Sequence, residues 1–244
     1  PDGNPASRHT YDGLEYVPDV DRFWAHSGSL WSGSGGFGPG TWTFDFVNSR
    51  WERKADIPDI SSSYGRTAYD PATGHVLVQK YTRLYEYDPQ ANFWTQRGNY
   101  PQGLDETVGT LDPKRRRFII LGQGKARFYD VQASGIQTLQ DLLTTGATEI
   151  QSGKFIGVDY DPVSDQLVAW NGGAEVYTLN LDTLVWTKRP PAITNTIIPT
   201  APASAGTFGR FRYIPSKNIF IVVNSNNQNV FIYKLSSLSV PPPP

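Results

Sequence analysis

The stretch Glu175-Val-Tyr-Thr-Leu-Asn-Leu-Asp-Thr-Leu-Val-Trp186 decides the fold. It alternates apolar and polar residues around Tyr177, turns at Asp182-Thr183, and returns into a second strand opened by Trp186. Alternation with period two on both sides of a short polar turn is the pattern of a β-hairpin. The nine-residue interval from aromatic to tryptophan recurs from Trp42 to Trp51 and from Tyr85 to Trp94. Weaker copies run from Arg127 to Ile136 and from Phe231 to Val240.

A second landmark runs in step with the first. Aromatic-x-Pro, or Leu-Asp-Pro, occurs at Tyr16-Val17-Pro18, Tyr69-Asp70-Pro71, Leu111-Asp112-Pro113, Tyr160-Asp161-Pro162 and Tyr213-Ile214-Pro215. Successive prolines stand 53, 42, 49 and 53 residues apart, and repeats of that size build propellers, solenoids or arrays. Proline presets φ for a turn and cannot donate to a ladder, so each marks the end of a strand. Short apolar runs follow at 23–25, 76–78, 118–121, 167–170 and 219–223, each read as a buried strand. No segment sustains a helical period; Leu139 to Leu143 comes nearest and is short.

Each repeat therefore holds four strands. Strand a ends at the proline turn, b is the apolar run, c carries the Tyr or Trp, and d opens with the tryptophan. Four antiparallel strands per 40–50 residues make one blade of a β-propeller. The predicted class is all-β, a propeller with five recognisable repeats spanning 1–240 as one domain. Four prolines, 241–244, follow as a polyproline tail. Val240 stands in the tryptophan position of the fifth repeat, and a proline run cannot continue an interior strand. Two outcomes are open: a five-bladed ring with one improvised edge, which the repeat count favours, or a piece of a six- or seven-bladed ring.

Gly172-Gly173 after strand b, with Tyr177 and Trp186, resembles the kelch repeat of galactose-oxidase-type propellers. Repeat one resembles it more loosely through Gly35-Gly36, Trp42 and Trp51. Repeat two keeps Tyr85 and Trp94 without the double glycine; repeats three and five lack both the glycines and the tryptophan. The resemblance implies the fold. It does not extend to copper radical chemistry, whose cofactor needs a cysteine that this chain lacks.

Composition narrows the function classes. With 22 basic and 23 acidic residues, charge steers the chain to neither nucleic acid nor an anionic membrane, and no apolar run reaches the length of a span. The run Lys114-Arg-Arg-Arg117 reads as a charged turn between strands. Without cysteine there are no disulfides, thiolate metal sites or thiol nucleophiles. Low charge with abundant Gly, Ser, Thr, Asn, Pro and aromatics suits a secreted or cell-surface β protein. No zinc spacing, P-loop, dinucleotide fingerprint or nucleophile elbow occurs, and no cofactor is expected. Gly33-Ser-Gly-Gly36 lacks the lysine of a phosphate loop. Asp19-x-Asp21 and Asp159-x-Asp161 could offer oxygens to calcium, but turn chemistry accounts for them better.

Loop variation indicates a binding face. The b–c loop 27–41 and the d–a connections 99–107, 144–154 and 189–207 vary in length, and in a four-stranded blade both classes open on one side. Candidate binding residues there are Arg8, His9, His26, Trp31, Tyr64, Arg66, Glu106, Phe208 and Arg210. Trp31, Tyr64 and Phe208 are expected as exposed rings that stack on a sugar. For Arg66 and Arg210, at equivalent places before Tyr69 and Tyr213, two readings compete: ligand contact at a channel mouth, or hydrogen bonds to carbonyls between blades. The expected function is a non-catalytic recognition or scaffold module binding a glycan or protein. The alternatives are a polysaccharide hydrolase or lyase using His9, Glu106 or His26, and a self-assembling structural subunit.

Overall fold

The structure is a computed structural model and describes residues 3–31, 36–59, 64–100 and 102–235. Val240, the prolines 241–244 and Gly33–Gly35 lie outside the described residues. The described chain is all-β, with short 3-10 turns and no helix long and apolar enough to cross a membrane. It divides into two compact units. The first comprises 1–105, 109–120 and 128–140; the second comprises 106–108, 121–127 and 141–244.

The first repeat contributes β1 (Arg8–His9), β2 (Leu14–Val17), β3 (Arg22–His26), β4 (Ser29–Leu30), β5 (Gly36–Phe37), β6 (Thr41–Asp45) and β7 (Arg50–Lys54). Strands β2-β3-β6-β7 form an antiparallel sheet in chain order, the a-b-c-d plan; β1-β4-β5 form a small sheet beside it. The second repeat supplies β8 (Arg66–Asp70), β9 (His75–Gln79), β10 (Arg83–Asp88) and β11 (Phe93–Asn99) in the same order. The third supplies β12 (Val108–Asp112), β13 (Arg117–Gly122), β14 (Lys125–Asp130), β15 (Gln137–Thr138) and β16 (Gln140–Leu142). β17 (Thr145–Gly146) precedes the fourth repeat, which is β18 (Gly157–Asp161), β19 (Gln166–Trp170), β20 (Val176–Asn180) and β21 (Val185–Arg189). The fifth has β22 (Phe211–Ile214), β23 (Ile219–Val222) and β24 (Phe231–Tyr233), and its sheet stops at three described strands.

The third repeat departs from its expected plan. Ile136 was the predicted opening of its fourth strand, but the strand that completes the sheet is β16, in the segment nearest to a helical pattern. Ile136 is exposed, and the adjoining β15 instead adds parallel to β11 of the second sheet. Without a tryptophan at 136 no large apolar group ties that turn down, and Ser134-Gly135 extends it.

Two turn types recur for the same physical reason. In the c–d turns a carboxylate or amide at the end of strand c accepts backbone N–H groups two and three residues on. Asp45 takes Val47 and Asn48, Asp88 takes Gln90 and Ala91, Asp130 takes Gln132 and Ala133, and Asn180 takes Asp182 and Thr183. In the a–b turns the residue five after the aromatic or Leu is left-handed in all five repeats: Asp21, Gly74, Arg116, Asp165 and Asn218. Tyr16, Tyr160 and Tyr213 each donate their hydroxyl to that residue's side chain at 2.8–3.0 Å. Gly74 has no side chain to offer; Tyr69 bonds Asp19 instead.

Register assigns the cross-strand partners of the tryptophans. Trp51, Trp94 and Trp186 stand across from Phe44, Tyr87 and Leu179, seven residues upstream. The aromatics nine residues upstream pair two positions further along: Trp42 with Arg53 and Tyr177 with Lys188, each cation lying over the ring.

Within each unit the repeats meet through their a strands. In the first unit β2 lies beside β8, and Trp24, Val76, Val78, Tyr87 and Trp94 share one buried cluster. A second cluster joins Ala68, Leu77 and Leu84 to Leu111, Phe118 and Tyr129. In the second unit β18 lies beside β22. Gly157 permits that approach: a Cβ there would fall on Phe211 and stand 2.9 Å from Thr207.

Candidate functional site

The ends of strands in the first unit gather most of the expected site residues. β1 pairs with β4, which sets Arg8 opposite Leu30 and His9 opposite Ser29, and the Trp31 amide donates to the Ser7 carbonyl at 2.9 Å. The segment before strand a and the b–c loop of the first repeat thus share one face. His9 packs on Tyr11 with ring centroids 3.8 Å apart and the planes tilted by 38°, and Tyr11 stacks on Tyr64 at 4.0 Å. The Arg66 guanidinium lies over Tyr64 at 5.5 Å. The Tyr11 hydroxyl hydrogen-bonds the Ser29 hydroxyl at 2.8 Å. Trp31 is 90% exposed beside this ladder, and His9 is exposed at its outer end.

Tyr11 has φ 55°, an unfavourable left-handed conformation for an aromatic residue, and it is this turn that swings its ring between His9 and Tyr64. Burial raises the Tyr64 hydroxyl pKa, and the neighbouring Tyr11 and Asp105 add to the rise. Tyr11 lies in neither repeat landmark, so no local pattern marks it.

Beneath the ladder runs a buried polar layer. Arg66 is 1% exposed and donates to the Leu104 carbonyl; burial lowers its pKa to about 10 against the attraction of Asp12 and Asp105. Asp12 accepts the Gly109 amide at 2.9 Å, and Thr67 donates to Glu15 at 2.8 Å and to the Asp12 carbonyl. Lys80 is wholly buried and donates to the Ser27 hydroxyl at 2.9 Å; burial lowers its pKa to about 8. His26 is enclosed between Trp24 and Trp94, with centroids at 5.3 and 5.1 Å, and shares a 3.0 Å hydrogen bond between Nδ1 and Thr41. Burial, with Lys80 and Arg8 nearby, holds its pKa well below the ordinary histidine value. Arg8 bonds the Ala6 and Ser27 carbonyls.

For Arg66 the geometry is that of the carbonyl-bridging reading. Arg210 in the second unit also bonds carbonyls, but local ones, those of Thr207, Asn224 and Gly206 around its own repeat. His26 likewise belongs to the interior and not to a loop surface. Phe208 was expected as an exposed ring, but it is 4% exposed and packs on Phe155 at 4.7 Å. A 3-10 turn at Phe208–Arg210 folds it inward, since an apolar ring packed against the half-buried Phe155 leaves water more favourably than it stacks in a loop. Glu106 is partly exposed and ion-paired to Lys154 at 2.7 Å. Of the nine candidates, His9, Trp31 and Tyr64 belong to the accessible ladder and its rim.

Among the described residues no group of His, Asp or Glu is arranged to hold a metal. Asp161 instead caps its own turn through Val163 and Ser164, and Asp159 accepts the Tyr213 amide at 2.8 Å. No protein-family model matches this chain, and no curated protein matches its sequence.

Proposed function

We propose that this protein is a β-propeller of kelch type that serves as a non-catalytic recognition module and binds a glycan on the face carrying Trp31. The antiparallel a-b-c-d sheets and the approach of neighbouring a strands within each unit support the propeller reading. One observation carries the functional reading: the His9–Tyr11–Tyr64 ladder, flanked by an exposed Trp31 and by hydroxyls at Ser29 and Tyr11. The outer face of His9 and the exposed Trp31 ring take the C–H faces of a pyranose, Tyr11 and Tyr64 back His9 from behind, and adjacent hydroxyls read the sugar's polar edge. The Arg66 layer beneath holds the rings in place without itself meeting the ligand.

The test is a glycan array on the full chain, with mass spectrometry of the bound sugars. Binding is expected without change in ligand mass, and Tyr11→Ala or Trp31→Ala should weaken it at least tenfold. Shortened or unsaturated products would favour the hydrolase or lyase reading. Binding that ignores both substitutions would refute the site.

A further inference from the structure

Two arginines of the first unit meet at the segment Gly38-Pro39-Gly40, between β5 and β6. Arg8 pairs across from Leu30, and alternation in β1 turns its side chain away from that of His9 and towards this segment. A Cβ on Gly38 would stand 3.0 Å from Arg8 Nη1. A Cβ on Gly40 would stand 3.2 Å from Arg53 Cζ and 3.1 Å from Trp42 Nε1. Arg53 itself lies over the Trp42 ring at 5.3 Å. The side chains that the two glycines lack leave the room that the guanidinium groups take.

Positive charge exceeds the acid that meets it here. Among the described residues the half-buried Arg8 pairs with no carboxylate; it donates to the Ala6 and Ser27 carbonyls. Arg53 pairs with Asp56 and keeps 48% of its side chain exposed. Glu52 is the nearest other acid along β7, but it points to the opposite side of the strand and is taken by Arg50 and Lys54. Each guanidinium carries five N–H donors; Arg8 places two of them on protein acceptors and Arg53 one. The buried Trp42 indole N–H beside them has no acceptor. Burial and the Arg53 charge both lower the Arg8 pKa, so these like charges oppose one another. Spare donors around two like charges are complementary to an oxyanion, which arginine takes through paired N–H bonds.

The position of the pair indicates the source of the oxyanion. Phe37, one residue before Gly38, is 59% exposed and pairs with Ser29, which pairs in turn with His9. The face assigned to the glycan therefore runs into the segment that holds the arginines. We propose that Arg8 and Arg53 bind an acidic group of that glycan, a carboxylate or a sulfate, so that the protein selects charged sugars over neutral ones. This inference rests on the glycan reading.

The test uses the full chain and matched glycan pairs: uronic acid oligosaccharides beside their methyl esters, and sulfated oligosaccharides beside their desulfated forms. In calorimetry the acid of at least one pair is expected to bind about tenfold tighter than its neutral partner, and the pair showing the gap identifies the group. The gap should narrow as salt rises from about 50 to about 500 mM, because partly exposed charges are screened. Arg8→Gln and Arg53→Gln should each weaken the acid until the pair lies within about threefold, whereas Trp31→Ala should weaken both members alike. If Arg8→Gln fails to fold, Arg53→Gln decides, since its side chain stands at the surface. Equal affinities within both pairs, or a gap that survives the substitutions, overturn the inference and leave the glycan reading standing. A chain that binds no glycan, charged or neutral, overturns both.

Discussion

Replacing Trp94 with alanine measures how far the repeat tryptophans hold the fold. Trp94 is 6% exposed, packs on Trp24, His26, Tyr85 and Tyr87, and donates its indole N–H to the Ala55 carbonyl at 2.9 Å. Burying an aromatic of this size removes roughly 150–250 Å² from water, and at about 25 cal/mol per Å² this gives about 4–6 kcal/mol. Partial collapse of the cavity brings the cost of truncation to about 3–5 kcal/mol, and the Ala55 carbonyl loses a hydrogen bond worth about 1 kcal/mol. The expected loss is therefore about 4 kcal/mol, or roughly 8–16 °C in melting temperature at about 2–4 °C per kcal/mol for a chain of this size. Trp31→Ala, at a 90% exposed position, should leave the melting temperature within about 1 °C. Urea denaturation followed by circular dichroism reads the first and calorimetry the second. A Trp94→Ala cost below about 1 kcal/mol, or equal effects at the two sites, would refute the assignment of one ring to the core and the other to the surface.

Three further outcomes follow from the buried layer and the close contact between a strands. His26 has a lowered folded pKa, so the unfolded chain binds the extra proton and stability falls as pH drops below about 6.5; His26→Gln should flatten that fall, and His26 proton resonances should not titrate through that range. Lys80 is also lowered, to about 8, so between there and the ordinary value of 10.5 the unfolded chain holds more protons and this group makes stability rise with pH. The wild type should show that rise relative to Lys80→Met in matched denaturation curves, and parallel curves would show that Lys80 titrates normally. Gly157→Ala should cost about 1–3 kcal/mol by driving β18 from β22, read as a lowered urea midpoint; an unchanged midpoint would mean that the two strands part freely.

Local pattern carried most of the secondary structure. The prolines, the alternating apolar runs and the tryptophan interval located strands a to c in every repeat, because turn chemistry and period-two burial are written in adjacent residues. The interval misled where its residue was weak. At Ile136 no tryptophan anchors the turn, and β16 completes the sheet from further along. The interval also left cross-strand partners unassigned: hairpin register places Trp186 against Leu179 and Tyr177 against Lys188.

The site was less legible. Sequence position set Trp31, Tyr64 and Phe208 together as loop rings and could not show that Phe208 turns inward onto Phe155. Arg66 and Arg210 were equivalent in the repeat, and whether a guanidinium meets ligand or carbonyl depends on which backbone oxygens lie within reach. Tyr11 had no signal at all, since its stacking on Tyr64 joins residues 53 positions apart. The sequence by itself determined the repeat, the turns and the strands, whose causes are local. Only the tertiary structure decided which rings face water and which cations are spent on carbonyls, because burial and register are set by residues distant in the chain.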